Sequence, residues 1–511
     1  MKKYIVLLFL SVSLGLSAQS TYEAVRLFDS ELSGTARFVG MGGAMSALGG
    51  DLSVMSTNPA GTAVYRTGDV SLSANVSFLD ISSKYNGNSV ESSKTNVTVD
   101  NIGMVFVNNI DDGALKFVNF GINYKQRKNL SREFSMMGFS NGFSQMFQMR
   151  DMYDAAPFDV NNMYYTDYTS LQHSWLALLA ADGLLLTKYG DNDVDLSVFP
   201  DDMHSQIYDS EESGGIDEID INFSLNIDDR LYLGATLSTH HVDYGRYSYF
   251  GEDDSYGEIY TLQNWYDTRG EGFDFKLGLI WRPIYESSLK LAFAVHSPTW
   301  YNLTDCMSSA ISGLTDEYGV PYFMDTQSAD AYGDNYYLDY KLTTPWRFNV
   351  AGSYILGGSV ALDAEYEYAD YSTANIKVGN GIRSMGMDSE FDSNMRAVHT
   401  FRVGAEWMLD KNLSLRCGYN HITAPFKKDA AKFMLSSVDT NTEYLNRFDT
   451  NTFTMGIGYR KGMFYIDAAY MLSMQSCDFY PYYDAEFEDI APSAKVDEMK
   501  NKFVVSAGLR F

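Results

Sequence analysis

The residues able to do chemistry in this 511-residue chain are few and far apart. The most conspicuous stretch is GMGGAMSALGGDLSVMSTNPAG, Gly40 to Gly61, which has the glycine density of a phosphate-cradling loop. A G-x-G-x-x-G loop needs a strand running into it and a helix opening from it. Here Met45 stands at the third glycine position and no apolar strand enters Gly40, so the stretch does not fit dinucleotide binding. Of seven histidines only His240 and His241 are adjacent. Neighbours on a strand face opposite sides, which suits a shared metal poorly. No Ser–His–Asp grouping stands out, so no catalytic residue, metal or cofactor is assigned and an enzyme is not expected. Cys306, Cys417 and Cys477 are too few and too scattered for a disulfide framework, although a Cys306–Cys477 bridge stays open. The charges Arg347, Arg402, Arg416, Glu365, Glu367, Glu406 and Asp467 fall on one parity of their segments and read as a structural network.

Composition sets the compartment that has to position such residues. Thirty-eight Lys and Arg face 66 Asp and Glu, a net charge of −28, which argues against nucleic acid as a partner. The start, MKKYIVLLFLSVSLGLSAQS, has a basic end, a short apolar run and small residues, the layout of a signal peptide over 1–18 cut after Ala18. No cysteine follows the cut, so no lipid anchor is expected. Beyond it no apolar run approaches the ~20 residues of a membrane helix.

Alternation decides the class. In IDEIDINFSLNIDDRLYLGATLSTHHVDYG, Ile219, Ile221, Phe223, Leu225 and Ile227 share one parity, while Asp220, Asn222, Ser224 and Asn226 take the other. The same pattern recurs at SVALDAEYEYADY and FTMGIGYRKGMFYIDAAYML. Period-two segments of about ten residues fit barrel strands, apolar toward lipid and polar toward the lumen. Fourteen such strands are expected between Asp69 and Phe511, their connections alternating between short and long, with the longest at 126–215 and carrying short helices. Trp281 and Trp407 stand at turn ends, where an aromatic girdle belongs. The acidic run YDSEESGGIDEID reads as a solvated loop edge. The fold class is therefore all-β and transmembrane: a 14-stranded antiparallel outer-membrane β-barrel over 69–511, with an N-terminal hatch, or plug, inside the lumen. The hatch is the stretch 19–68. It is rich in small residues, with glycines for close backbone contact and methionines that adapt to irregular gaps.

At the hatch the chain resembles a known family. GTARFVGMGGAMSALGGDLSVMSTNPAGTAVYR, with its Asn58-Pro59-Ala60 triplet, is similar to the N-terminal hatch of the FadL/TodX family of outer-membrane transporters of long-chain fatty acids and other hydrophobic compounds. TTPWRFNVAGSYILGGSVALDAEYEYADYS, FRVGAEWMLDKNLSLRCGYNH and FTMGIGYRKGMFYIDAAYM resemble its last strands in wording and order. The resemblance implies a monomeric barrel in the outer membrane of a Gram-negative cell. It also implies passive uptake of a hydrophobic small molecule, most readily a long-chain fatty acid, with outer-membrane lipid and lipopolysaccharide around the wall.

Ligand contacts are then expected in two places. In the hatch they are Phe38, Met41, Met45 and Leu48, with Asn58 and Pro59 of the triplet. In the outer loop, GFSNGFSQMFQM and HSWLALLAADGLLLTKYG supply Phe143, Phe147, Trp175, Leu178, Leu179 and Leu185, with Lys188 or Arg150 to meet a ligand carboxylate. Exposed apolar surface of this kind ordinarily marks binding. The alternatives are a barrel of the same fold that docks protein partners, as in the shuttle component of type IX secretion, a receptor for haem or another hydrophobic ligand, and an outer-membrane hydrolase.

Overall fold

The computed structural model describes residues 20–28, 30–158, 160, 173–189, 193–197, 203–255, 257–313, 326–327, 336–378, 382–383, 385–432, 438–483 and 492–511. The segment 1–18, expected to be a signal peptide, lies outside them.

Fourteen strands close into one antiparallel barrel. They are β1 Asp69–Tyr85, β2 Asn88–Asp112, β3 Leu115–Asn129 continued by Arg132–Asn141, β4 Met203–Ile227, β5 Leu231–Asp254, β6 Gly257–Trp281 and β7 Lys290–His296 continued by Trp300–Gly313. The second half is β8 Tyr336–Thr343 with Arg347–Leu356, β9 Val360–Asp370 with Asn375–Val378, β10 Ala397–Met408, β11 Leu413–Ile422, β12 Tyr444–Lys461, β13 Phe464–Tyr480 and β14 Ala494–Arg510. Closure comes from β1 pairing β14, Asp69 opposite Arg510 through to Lys84 opposite Lys495. A closed sheet has no free edge, so every ladder group in the hydrocarbon region is paired, as a membrane demands.

Parity sorts the side chains as the sequence pattern expects. On β1, Ser71, Ser73, Asn75 and Ser77 are buried inward while Leu72 and Phe78 are exposed. On β4, Asn222 and Ser224 are buried and Ile219, Ile221 and Phe223 exposed. Trp281 and Trp407 are both exposed at turn ends. The exposed apolar belt would be costly in water and is stable only against lipid.

Two connections expected to be long are tight hairpins. β1 and β2 stay paired up to Tyr85 opposite Asn88, turning at Asn86-Gly87 with φ of 44° and 95°. Asn-Gly with both φ positive is the favoured two-residue hairpin turn. β5 and β6 likewise pair up to Asp254 opposite Gly257. The stretch 126–215 is a loop only over 142–202, because β3 runs on to Asn141 and β4 begins at Met203. The acidic run at 208–220 therefore lies within β4, not at a loop edge. Above the lipid belt the outer face turns polar, as at Asp80, Ser82 and Lys84 of β1. The apolar alternation ends there while the hydrogen-bond ladder continues, so hydropathy marks the belt and not the strand end. All three cysteines are free.

The two faces make a direct test. Ile457 is exposed toward lipid, and Ser473 lines a lumen cavity. Ile457→Arg should oppose assembly by about 2–4 kcal/mol if it lies near the midplane, read as lost heat-modifiable gel migration, and Ser473→Arg should assemble normally. Equal damage at both positions would refute the assignment of faces.

Candidate functional site

The hatch enters the lumen from its upper end. Helix α1, Thr21–Phe28, sits high, where Tyr22 stacks on Phe426 at 4.7 Å and its hydroxyl donates to Asn446 Oδ1 at 2.9 Å. Helix α2, Ala36–Gly40, follows, capped by Thr35, whose side chain accepts from Phe38 N. Two 3₁₀ turns, Leu52–Ser56 and Pro59–Val64, are capped by Asp51 and Asn58. Asp, Asn and Thr are suited to this because a short side-chain oxygen reaches the orphan N–H groups of the first turn.

Charged wall residues hold this segment. Arg37 of α2 pairs with Glu406 at 2.7 Å, and Glu406 accepts from Arg416, which also pairs with Asp467. Arg402 pairs with Glu365 and Glu367, and Arg347 with Glu367 at 3.5 Å. Thus the seven inward charges picked out on parity form networks against the hatch. Asp363 accepts from the backbone N–H of Ala47 and of Leu48, at 3.1 and 2.7 Å. Higher up, Glu31 pairs with Lys500 at 2.8 Å and Lys502 at 3.5 Å. Burial by itself would raise the Glu31 carboxyl, but the two lysines hold it down to about 2.

The glycines serve close approach. Gly404 and Gly418 are cross-strand partners on β10 and β11, and a Cβ on either would collide with the backbone of Met41-Gly42. Gly234 and Gly278 are partners on β5 and β6, and a Cβ there would collide with Pro59 or Asn58. Two flat seats in the wall therefore receive the two ends of the glycine-dense stretch.

Among the expected hatch contacts, Phe38, Met41, Met45 and Leu48 form one buried cluster with Val54. Asn58 is buried and structural: Nδ2 donates to the Ser46 carbonyl at 2.8 Å and Oδ1 accepts from Ala60 N at 3.1 Å. Pro59 lies on the Gly234–Gly278 seat.

The outer loop folds down into the upper lumen. Its helices are α3, Gln145–Ala155, and α4, Trp175–Asp182. Trp175, Leu178, Leu179 and Leu185 are all buried in one large cluster, with Phe143 and Phe147 packed half-buried against it. Trp175 meets Tyr336 edge-on at 5.3 Å, and Gln145 Oε1 accepts from the Tyr260 hydroxyl at 2.8 Å. The apolar surface expected to stand exposed is thus covered by strand residues such as Tyr260, Met307 and Ile311. Lys188 is exposed, and Arg150 lies 3.5 Å from Asp195. Neither is brought to the hatch cluster. His240 and His241 do face opposite sides: His240 is buried against Asp274 at 2.7 Å and His241 is exposed. No group of metal-binding side chains occurs among the described residues.

Open space remains beside the hatch. A lumen cavity of about 210 Å³ is bounded by Leu32, Leu79, Leu130, Val398, Ile422 and Met471 together with several charged residues. A groove of about 1240 Å³ lies over strands β1, β2, β12, β13 and β14, and includes outward residues such as Met474 and Met499. Arg447, Phe448, Gln475 and Glu498 line both spaces. At the opposite end a cavity of about 200 Å³ is bordered by Arg37, Asp51, Glu406, Lys411 and Asp467 and is strongly charged. The β12 residues escaped the sequence reading. The only trace of them is a parity change, with Phe448 on an even number and Phe453, Met455 and Ile457 on odd ones.

No family model matches the sequence, and no curated protein matches it. The fold matches solved structures along nearly its whole length. One is a FadL homologue of Pseudomonas aeruginosa, at 13% identity over 94% of this chain and 99% of that one, with a TM-score of 0.55. Another is the toluene transporter TodX of P. putida, at 13% identity over 94% and 99%, with a TM-score of 0.52. The chain therefore has the fold of FadL-type barrels.

Two outcomes are expected. Gly418→Val forces the hatch off its seat without touching a ladder hydrogen bond, so conductance in a planar bilayer should rise. Unchanged conductance would show that the hatch is not the obstruction. The Glu31 anchor, a depressed carboxylate, contributes fully above its ordinary 4.5 and is lost as pH falls through about 2. Conductance should therefore stay low from neutral pH to well below 4.5 and rise only toward 2. An onset at the ordinary carboxylate value would place Glu31 outside the anchoring set.

Proposed function

We propose that this chain is an outer-membrane channel for uptake of hydrophobic small molecules, with long-chain fatty acids the expected class. One observation carries the reading: the cavity beside the hatch, whose wall mixes Leu32, Leu79, Leu130, Val398, Ile422 and Met471 with charged side chains, shares Arg447, Phe448, Gln475 and Glu498 with a large outward groove. These shared residues set the lumen cavity next to the upper edge of the lipid belt, which would give a hydrophobic molecule a side route, while the cavity at the far end is lined by charge. The likeness of the fold to the toluene transporter TodX and to a FadL homologue supports a hydrophobic cargo. Phe38, Met41, Met45 and Leu48 of the hatch and Trp175, Leu178, Leu179, Leu185, Phe143 and Phe147 of the outer loop are proposed as further ligand contacts; they pack in clusters of their own, outside the lining of the cavity beside the hatch. The protein acts as a monomer, surrounded by outer-membrane lipid and lipopolysaccharide, after export by its cleaved N-terminal segment.

A second reading has its own support. The burial of α4 from Trp175 to Ala181 fills the upper lumen, which suits a barrel that docks a protein on its rim and carries no cargo. The two separate on uptake. Cells expressing the chain should accumulate a radiolabelled long-chain fatty acid faster than cells carrying an empty vector, and native mass spectrometry of the purified barrel should show bound lipid. Correctly inserted protein with neither property would favour docking.

A further inference from the structure

Arg447 stands where strand β12 departs from its ladder. Arg447 pairs with Cys477 and Thr450 with Gln475, so Phe448 and Asp449 together oppose Ser476. Two residues against one is a bulge, which bends the strand and re-aims its side chains. Strand β11 ends at Ile422 opposite Thr450, so Tyr444–Asp449 have a ladder partner only in β13 among the described residues. Arg447 borders the 210 Å³ lumen cavity, the 1240 Å³ groove and a gap of about 30 Å³ beside Tyr22 and Phe426.

The other cations of the lumen cavity are engaged. Arg26 pairs with Glu23 at 3.1 Å, Arg132 with Glu212 and Glu498 at 3.2 and 2.8 Å, and Lys500 with Glu31 at 2.8 Å. Lys128 donates to the Arg26 carbonyl at 3.0 Å. Arg447 makes no ion pair or hydrogen bond among the described residues, and it is half-buried. An unpaired guanidinium beside apolar surface is costly to desolvate for a neutral ligand, whereas a carboxylate would meet its planar fork in bidentate fashion. The groove itself carries both signs of charge, Asp80, Glu91 and Asp497 on its outer strands and Arg396, Lys427 and Lys428 on the side of β10 and β11.

We propose that Arg447 is the head-group contact for a ligand with one carboxylate on an apolar chain, seated across the β12 bulge between lumen cavity and outer groove. This deepens the uptake reading and rests on it. It also moves the carboxylate contact from Lys188 and Arg150 in the outer loop to the wall.

The test uses the full-length protein in nonionic detergent, with hexadecanoic acid and its methyl ester as probes. Wild type should bind the acid about tenfold more tightly than the ester, the scale of one charge-assisted contact. Arg447→Leu should abolish that preference while leaving ester affinity unchanged, and Arg447→Lys should keep part of it. Arg447→Gln serves the same purpose as the leucine variant if that fails to fold by heat-modifiable migration. Equal binding of acid and ester by wild type, or a preference that survives loss of the charge, overturns Arg447 as the contact while leaving hydrophobic uptake standing. If neither probe binds wild type, the uptake reading falls and this inference with it.

Discussion

A barrel of fourteen strands has to do something with a polar inner wall too wide for its own side chains to fill. That constraint governs the lower half of this molecule. The inward parity carries Asp363, Glu365, Glu367, Arg402, Glu406, Arg416 and Asp467, all buried. Buried charge is tolerable only when paired and hydrogen-bonded, and removing one partner of such a pair costs about 3–5 kcal/mol. Part of the pairing comes from the wall itself, and part from the hatch, through the Arg37 guanidinium and the backbone N–H groups of Ser46, Ala47 and Leu48. A plug able to supply backbone donors along its length must lie flat on the wall. Flat contact requires glycine on both sides, as Gly42 on Gly418 shows.

The upper half solves the same problem with apolar groups. Here the inward residues are large, among them Tyr208, Phe250, Tyr260, Tyr266 and Tyr301, and they pack against α1, α3 and α4. Three of these hydroxyls keep partners as their rings are buried: Tyr208 donates to Glu443, Tyr260 to Gln145 and Tyr266 to Asp305, while that of Tyr301 has none among the described residues. Tyrosine suits this place because its ring fills space while its tip stays hydrogen-bonded. The abundance of tyrosine in the chain thus serves an internal lining as well as any membrane girdle.

Between these halves the wall is least regular. β7, β8 and β9 are each interrupted on one side of the barrel; on the other, β3 is interrupted at Leu130-Ser131, and β12 is bulged at Phe448-Asp449 beside a β11 that stops short. The β3 break and the β12 bulge border the same lumen cavity. A ladder that loses hydrogen bonds within a sheet is normally a liability, and bulges concentrate where a sheet must aim a side chain. The break and the bulge converge on one space beside Glu31 and Leu32 of the hatch.

The strand set, its faces and the plug were legible in the sequence because each rests on a local rule. A strand's period of two places Ile457 outside and Thr454 inside without reference to any other strand. A segment too long, small and uncharged to be wall has little place but the lumen. What tertiary structure decided was pairing across distance. The leucines of α4 read identically whether they face water or a lumen, and only the packing of Met307 and Ile311 over them shows the second. Hairpins above the lipid belt had lost the alternation that reveals strands, so their ladders had to be seen. Nothing local distinguishes Arg447 from the Arg132 that Glu212 and Glu498 neutralise. Whether a charge is spent on a partner depends on which strands the closed barrel brings beside it.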